Sequence, residues 1–279
     1  MEVWQMTNLV YVITGGSGGM GKATAELVGK YGTVLLADIS EERLEQTKQD
    51  LASKGITDVH YQTVDITSKE NVEALAAKAA ELGTLKGLVH TAGISPTMGS
   101  AEKIIDVNFT GTLNVLNAFY PLATEGTSAV LISSMSAYMV PPQGPHMEAI
   151  LNPFGENTAE TLKQVAQGNT GAGYIFSKLA VQVIAEHAAW DWGQKGARLN
   201  SLSPGTINTS MGRQEAEQSE QMAQLLAITP LKREGEASEI ATAVEFLLSD
   251  AASYITGIDL RVDGGTVPNL RKVQASQPK

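Results

Sequence analysis

Thr14-Gly15-Gly16-Ser17-Gly18-Gly19-Met20-Gly21 decides the fold because of what stands on either side of it. Before it lies Leu9–Thr14, a short run of Leu, Val, Tyr and Ile that reads as a strand; after it, residues 19–30 carry an apolar pattern of helical period. A glycine-rich turn from strand to helix lets the backbone come close to a ligand. It also points free amides at the helix N-terminus towards that ligand, which suits a pyrophosphate. The run satisfies two spacings together: G-x-G-x-x-G through Gly16, Gly18 and Gly21, and T-G-x-x-x-G-x-G through Thr14, Gly15, Gly19 and Gly21. Alone, it could be no more than a tight turn. Its meaning depends on the rest of the chain.

Working outward, the alternation of strand and helix continues. Strands are expected at 33–38, 58–64, 86–91, 128–133, 197–202 and 259–262, and helices at 41–53, 69–82, 102–122, 173–193 and 237–248. The expectation is an α/β chain with a doubly wound, Rossmann-type three-layer fold built on a seven-stranded parallel sheet. At 279 residues it fits in a single domain. Two segments break the rhythm: an insertion near 137–172, rich in Pro, Gly and Asn, and a polar stretch with scattered Met and Leu near 208–233. The C-terminal extension, 267–279, reads as a surface tail.

Composition narrows the function. A net charge of -10 without a Lys/Arg cluster disfavours nucleic acid and anionic membrane surfaces as partners. The absence of cysteine removes disulfides, thiolate nucleophiles and Cys-held metals, so the cytoplasm is the expected compartment. The four His show no ligand spacing, no metal site is expected, and His90 reads as a core or sheet-edge residue rather than a catalyst. No apolar run near the N-terminus is long enough to be a signal or a membrane span.

Two further features carry chemistry. Asp38 ends the second strand about 20 residues beyond the glycines, where a carboxylate can accept from both hydroxyls of an adenosine ribose. That favours NAD, since a 2′-phosphate would meet the carboxylate's charge; neither Ser17 nor Ile39 brings a cation, and Arg43 is the nearby candidate. Asp38 could also simply cap the next helix. Tyr174 and Lys178, four residues apart in a helical pattern, project from one face one turn apart. An ammonium beside a phenol favours the phenolate and tunes it for acid/base work. Ser133 and Ser134 end the fifth strand, on the side where ligands bind open parallel sheets.

With these motifs in order, the sequence resembles the short-chain dehydrogenase/reductase family over roughly residues 9–266. Thr14–Gly21 looks like its cofactor loop, with Gly15, Ser17, Gly18, Gly19, Met20 and Gly21 against the cofactor. Asp38 and Ile39, Asp65 and Ile66, and Ala92 and Gly93 look like its adenosine contacts. Pro204, Gly205, Ile207 and Thr209 look like its nicotinamide turn. The resemblance implies that Tyr174 exchanges the proton on the substrate oxygen and that Ser134 bonds the same oxygen. Lys178 would lower the phenol pKa and hold the nicotinamide ribose, and Asn108 would fix a water that relays protons to Lys178. Ser136 is the alternative to Ser134 and is expected, with Met211, against the substrate.

Three departures stand out. The family's Asn-Ala-Gly is Thr91-Ala92-Gly93, the link from Gly93 to Asn108 is short, and forty residues separate Ser134 from Tyr174. A similar insertion and link occur in relatives resembling bacterial 3α-hydroxysteroid dehydrogenase/carbonyl reductase. The insertion, with Met139, Pro141, Pro142, Met147, Ile150 and Phe154, is expected either at the substrate rim or at an oligomer interface. The 208–233 stretch resembles the family's substrate lid, and Met211, Met222, Leu225 and Leu226 suggest an apolar substrate. The expected activity is hydride transfer between NAD(H) and a mostly apolar secondary alcohol or ketone, alicyclic or steroid-like, by a homo-oligomer, dimer or tetramer. The alternative is a catalytically silent NAD(H)-binding sensor or scaffold.

Overall fold

Strands made of Val, Leu and Ile on both faces cannot rest at a surface, and here they form the middle layer. The computed structural model describes residues 8–141, 143–210, 212–213 and 220–275. β1 (Leu9–Thr14), β2 (Thr33–Asp38), β3 (Val59–Thr63), β4 (Thr84–His90), β5 (Ser128–Ile132), β6 (Arg198–Pro204) and β9 (Asp259–Val262) make one seven-stranded sheet in the order β3-β2-β1-β4-β5-β6-β9. Every pairing in it is parallel. A second, two-stranded parallel ladder joins β7 (Ile207–Asn208) to β8 (Gly235–Glu236).

Helices cover both faces, and each face has its own core. One core centres on Val12, Leu88, Phe109, Phe119, Ile184 and Trp192, and the other on Ile13, Leu36, Val130, Leu202 and Val244. Chain order reverses between β1 and β4, so the loops leaving their carboxyl ends part there and open a crevice. That crevice holds the candidate site.

Two helices differ from the reading of the sequence. The stretch 102–122 is not one helix: α4 (Ala101–Ile105) passes into a π-turn (Asp106–Thr110) before α5 (Gly111–Phe119) and a 3₁₀ turn (Tyr120–Leu122). The helix that bears Tyr174, α8, starts earlier than expected and runs Thr170–Gln194, because the Asn169 side chain accepts from Ala172 N at 2.9 Å and caps it ahead of Gly171 and Gly173.

The insertion is ordered on the core. Past a 3₁₀ turn (Met135–Met139) it forms α6 (Pro145–Ile150) and α7 (Thr158–Ala166), which bury Ile150, Leu162 and Ala166 against the α4 and α8 side. The His146 ring stacks on Phe176 with centroids 4.5 Å apart, and Lys163 Nζ reaches Asp106 at 2.7 Å. The described part of the tail lies on the surface, anchored at its start. Thr266–Ala275 is a helix that buries Val267, and Asn269 Nδ2 donates to Ile228 O at 2.7 Å, fixing it to the helix Glu220–Ile228.

Candidate active site

The site begins at the turn after β1. Gly15 sits at φ +70°, and a Cβ there would lie 2.6 Å from Ala92 N, so a side chain is excluded both by conformation and by the close approach of β4. Thr91 makes that approach firm: its hydroxyl contacts Thr14 O at 2.8 Å and Gly15 O at 3.2 Å. The threonine in the family's Asn position therefore still ties β4 to the glycine turn.

From this turn a groove of about 680 Å3 runs across the ends of β1, β2 and β3. Gly15, Gly18, Met20 and Gly21 form its floor. Asp38, Ile39, Asp65 and Ile66 line the far end, with Ala92, Gly93 and Thr209 at the near end. Asp38 does not cap the next helix; Ser40 does, accepting from Arg43 N. The Asp38 carboxylate instead accepts from Ser17 Oγ at 2.5 Å and from Ile39 N at 2.8 Å. Arg43 lies on the groove wall and donates to Ser17 O at 3.2 Å. Asp65 both lines the groove and holds the next turn, accepting from Thr67 N at 2.9 Å and Thr67 Oγ1 at 2.7 Å.

A second cavity, of about 110 Å3, adjoins the groove through Met20, Thr91, Gly93, Ile94 and Thr209. Ser134, Tyr174, Lys178, Pro204, Gly205 and Ile207 converge on it from β5, α8 and the turn after β6. Lys178 Nζ stands 5.8 Å from the centre of the Tyr174 ring and donates to Ile132 O at 3.0 Å. Burial pushes the Lys178 pKa down to about 8. The serines divide their work. Ser133 Oγ donates to Lys178 O at 2.7 Å and so is committed to holding α8. Ser134 Oγ accepts from Ser136 N at 3.2 Å and from Ser136 Oγ at 3.0 Å, which leaves its own proton for a further acceptor. Ser136 is not among the residues lining the cavity and reaches it through Ser134.

Asn108 sits in the π-turn, a form of helix that recurs at functional sites. Its carboxamide clamps the backbone of Ile94, accepting from Ile94 N at 2.9 Å and donating to Ile94 O at 3.0 Å, and also donates to Ser177 Oγ at 3.3 Å. Gly93 separates Asn108 from Lys178: a Cβ there would meet Asn108 Oδ1 at 3.1 Å and Lys178 Nζ at 3.3 Å.

Further residues line the site. Thr91 and Ile94 line both cavities, Val107 and Thr110 line the groove with Arg43, the cation the sequence offers near Asp38, and Thr206 lines the inner cavity. For Ile94, Val107, Thr110 and Thr206 a position within or beside a motif is the only sequence signal. Met211 and Pro142 lie outside the described residues. Of the expected rim residues, Ile150 is fully buried in the core and Phe154 is exposed. Among the described residues, none from the insertion lines the groove or the inner cavity.

Whether these residues fit a dinucleotide can be judged from the chain itself. Among the described residues, Thr206 Oγ1 is the buried side-chain nitrogen or oxygen without a hydrogen-bond partner, and it stands on the turn that lines the inner cavity. A buried hydroxyl without a protein partner beside an open cavity offers a hydrogen-bonding position to a polar group that enters it. Together with the side-chain-free cradle at Gly15 and the acids at the far end, it fits a nicotinamide dinucleotide. No group of three or more His, Asp or Glu that could hold a metal occurs among the described residues, and no helix among them is long and apolar enough to cross a membrane.

Comparison with known proteins agrees with the geometry. A family model described as short chain dehydrogenase matches residues 9–147, and one described as Enoyl-(Acyl carrier protein) reductase matches residues 157–267. The chain is 34% identical to Short-chain dehydrogenase/reductase bsc3 of Alternaria brassicicola, over 94% of this chain and 97% of that one. The chain belongs to the short-chain dehydrogenase/reductase family. Among other members, 3-alpha-hydroxysteroid dehydrogenase/carbonyl reductase of Comamonas testosteroni is 28% identical, with 95% of this chain and 99% of that protein covered. A solved 3-alpha-hydroxysteroid dehydrogenase from Pseudomonas sp. B-0831, complexed with NADH, superposes with a TM-score of 0.76 at 27% identity, covering 96% of this chain and all of that one. As a short-chain dehydrogenase/reductase the chain is an oxidoreductase of a nicotinamide-using family, with the three-layer fold and all-parallel sheet of its relatives.

Proposed function

We propose that this oxidoreductase is an NAD(H)-dependent alcohol dehydrogenase or carbonyl reductase acting on a mostly apolar secondary alcohol or ketone, alicyclic or steroid-like. The observation that carries the reading is the convergence of Ser134, Tyr174 and Lys178 on one small cavity adjoining the groove. Bound nicotinamide supplies or takes the hydride; the protein orients the partners and handles the proton.

In the direction of reduction, Tyr174 gives its phenolic proton to the ketone oxygen, and in oxidation it takes the alcohol proton back. Ser134 donates to the same oxygen with the hydrogen its neighbours leave available. Lys178, charged below a pH of about 8, stabilises the phenolate left after transfer. Asn108 holds the Ile94 loop over that ammonium. Thr206, Ile207 and Thr209 would hold the carboxamide of a bound nicotinamide, and burial of Lys178 and Asn108 keeps bulk water from the ammonium.

Asp38 supports NAD. Its carboxylate at the end of β2 would repel a 2′-phosphate, and Arg43 is the cation beside it that would offset the repulsion. Similarity to a 3-alpha-hydroxysteroid dehydrogenase/carbonyl reductase supports the substrate class. Exposed Phe246, Tyr254 and Ile258 support a homo-oligomer, and a chain without cysteine suits the cytoplasm. The test is a panel of ring ketones and aryl alcohols followed by NADH absorbance, with NADH and NADPH titrated by fluorescence. Turnover of ring ketones with tighter NADH binding is expected. Tighter NADPH binding would overturn the cofactor assignment, and silence across the panel would overturn the substrate class.

A further inference from the structure

His90 is a buried imidazole that the proposed chemistry does not use. It ends β4 at 2% exposure, and both ring nitrogens are engaged: Nδ1 lies 2.6 Å from Thr14 Oγ1, and Nε2 lies 3.0 Å from Thr112 Oγ1. Thr112, itself buried, donates its hydroxyl proton to the carbonyl oxygen of Asn108 at 2.6 Å. A hydroxyl has one proton to give, so Thr112 cannot also donate to the ring. Nε2 must therefore carry hydrogen and donate to Thr112. Burial, with the charge of Lys178 added, holds the imidazole neutral, its pKa pushed down to about 3. With one proton on the ring, Nδ1 is an acceptor, and the Thr14 hydroxyl donates to it. The donors all point the same way, from Thr14 through His90 and Thr112 to the Asn108 carbonyl.

The two ends of this chain belong to different parts of the site. Thr14 is the residue before Gly15, at the root of the groove; Asn108 is the π-turn residue that holds Ile94 and lies across Gly93 from Lys178. We propose that His90 is a positioning residue: as the neutral Nε2–H tautomer it fixes the Asn108 turn to the root of the cofactor groove, and through it the setting of Lys178. Its effect on turnover rests on the function proposed above; the tautomer does not.

The first arm of the test is therefore independent of activity. In 15N NMR of the full-length protein, with the His90 signals identified by their loss in His90→Gln, a bare Nδ1 and a protonated Nε2 are expected between pH 5 and 8, without titration. The charged group acting on the ring is Lys178, and its hydrogen-bonding neighbours Thr14 and Thr112 carry no charge. A protonated Nδ1, or titration in the ordinary His range, would overturn the proposal.

The second arm compares Thr112→Val with Thr112→Ser. The valine variant is expected to lose about 10-fold in kcat, with KM and the NADH dissociation constant within about twofold, and serine is expected to restore kcat. Loss in KM alone, or full kcat in a folded valine variant, would overturn it. Third, the kcat losses of His90→Phe and Thr112→Val should not add in the double variant, because both cut one chain; additive losses count against it. Retained activity in Tyr174→Phe would sink the proposed chemistry while leaving the tautomer result standing.

Discussion

At the Asp38 end of the groove the charged groups are wet, and beside the inner cavity Lys178 and Asn108 are dry. Arg43 is exposed, Ile39 is 73% exposed, and Ser17 and Asp38 are half-buried. Across the turn, Lys178 is 7% exposed and Asn108 is 1% exposed. In water a charge is screened and shifts its neighbours little; out of water its protonation becomes a property of the fold. The wet end can select a ligand at small cost to stability. The dry end sets proton affinities and commits part of the folding energy to doing so.

The difference is broken most severely at Tyr174. Removing the phenol oxygen in Tyr174→Phe should cut kcat by about 10³-fold while the NADH dissociation constant, read by fluorescence titration, stays within about twofold. Next comes the cost of burying Lys178. Its pKa is lower in the folded chain than in the unfolded one, so between the two values the unfolded chain binds more protons and stability rises with pH. Relative to Lys178→Met, the wild type should gain about 2–3 kcal/mol as pH climbs from 8 to 10.4, measured by urea denaturation at each pH. A difference flat in pH would show that the ammonium is hydrated.

At the wet end the effect is smaller. Asp38→Asn should lower the ratio of NADH to NADPH affinity by about 10-fold, since it removes one charged acceptor in a partly screened setting. Smallest of all is Lys163→Met, on the insertion behind the groove wall. It breaks a partly exposed ion pair to Asp106 and should cost about 0.5–1 kcal/mol of stability, with kcat within about twofold.

Most of the architecture was legible because its signals are local. β1, β2 and β9 and the helices Glu41–Ser53, Lys69–Leu82 and Ala237–Leu248 fall where the apolar period puts them, the first two helices capped by Ser40 and Ser68 and the third by a Glu236–Glu239 capping box. The site motifs were legible for the same reason: each is a short string, at the end of a strand for the glycine turn, Asp38 and Ser134 and within a helix for Asn108 and the Tyr174–Lys178 pair. What escaped depends on contacts between distant segments. The π-turn at Asp106–Thr110 leaves the apolar pattern of 102–122 intact and shows only in the hydrogen bonding. The insertion read as irregular because Pro and Gly flank α6 and α7, whereas burial of Ile150 and Leu162 on α4 and α8 makes it part of the core. The resemblance already singled out Ser134; the hydrogen bonds add that Ser133 is committed to Lys178 O and that Ser136 donates to Ser134. His90 reads in the sequence as a core or sheet-edge residue; the structure buries it, and its partners Thr14 and Thr112 lie 76 and 22 residues away.

The π-turn gives the α4–α5 rod one residue more than an α-helix can hold, like a gear with an additional tooth. Each residue of an α-helix turns the chain by about 100°. Without a wider turn, the additional residue would rotate one half of the rod against the other by that angle; the π-turn absorbs it, so Ile104 and Ile105 face the core while Asn108 reaches Ile94. A chain lacking Val107 could wind smoothly through this region with both halves of the rod in place, but the widened turn that presents Asn108 would be lost. The local irregularity sets a polar clamp into the buried face of the rod, and smoothing it would remove the clamp.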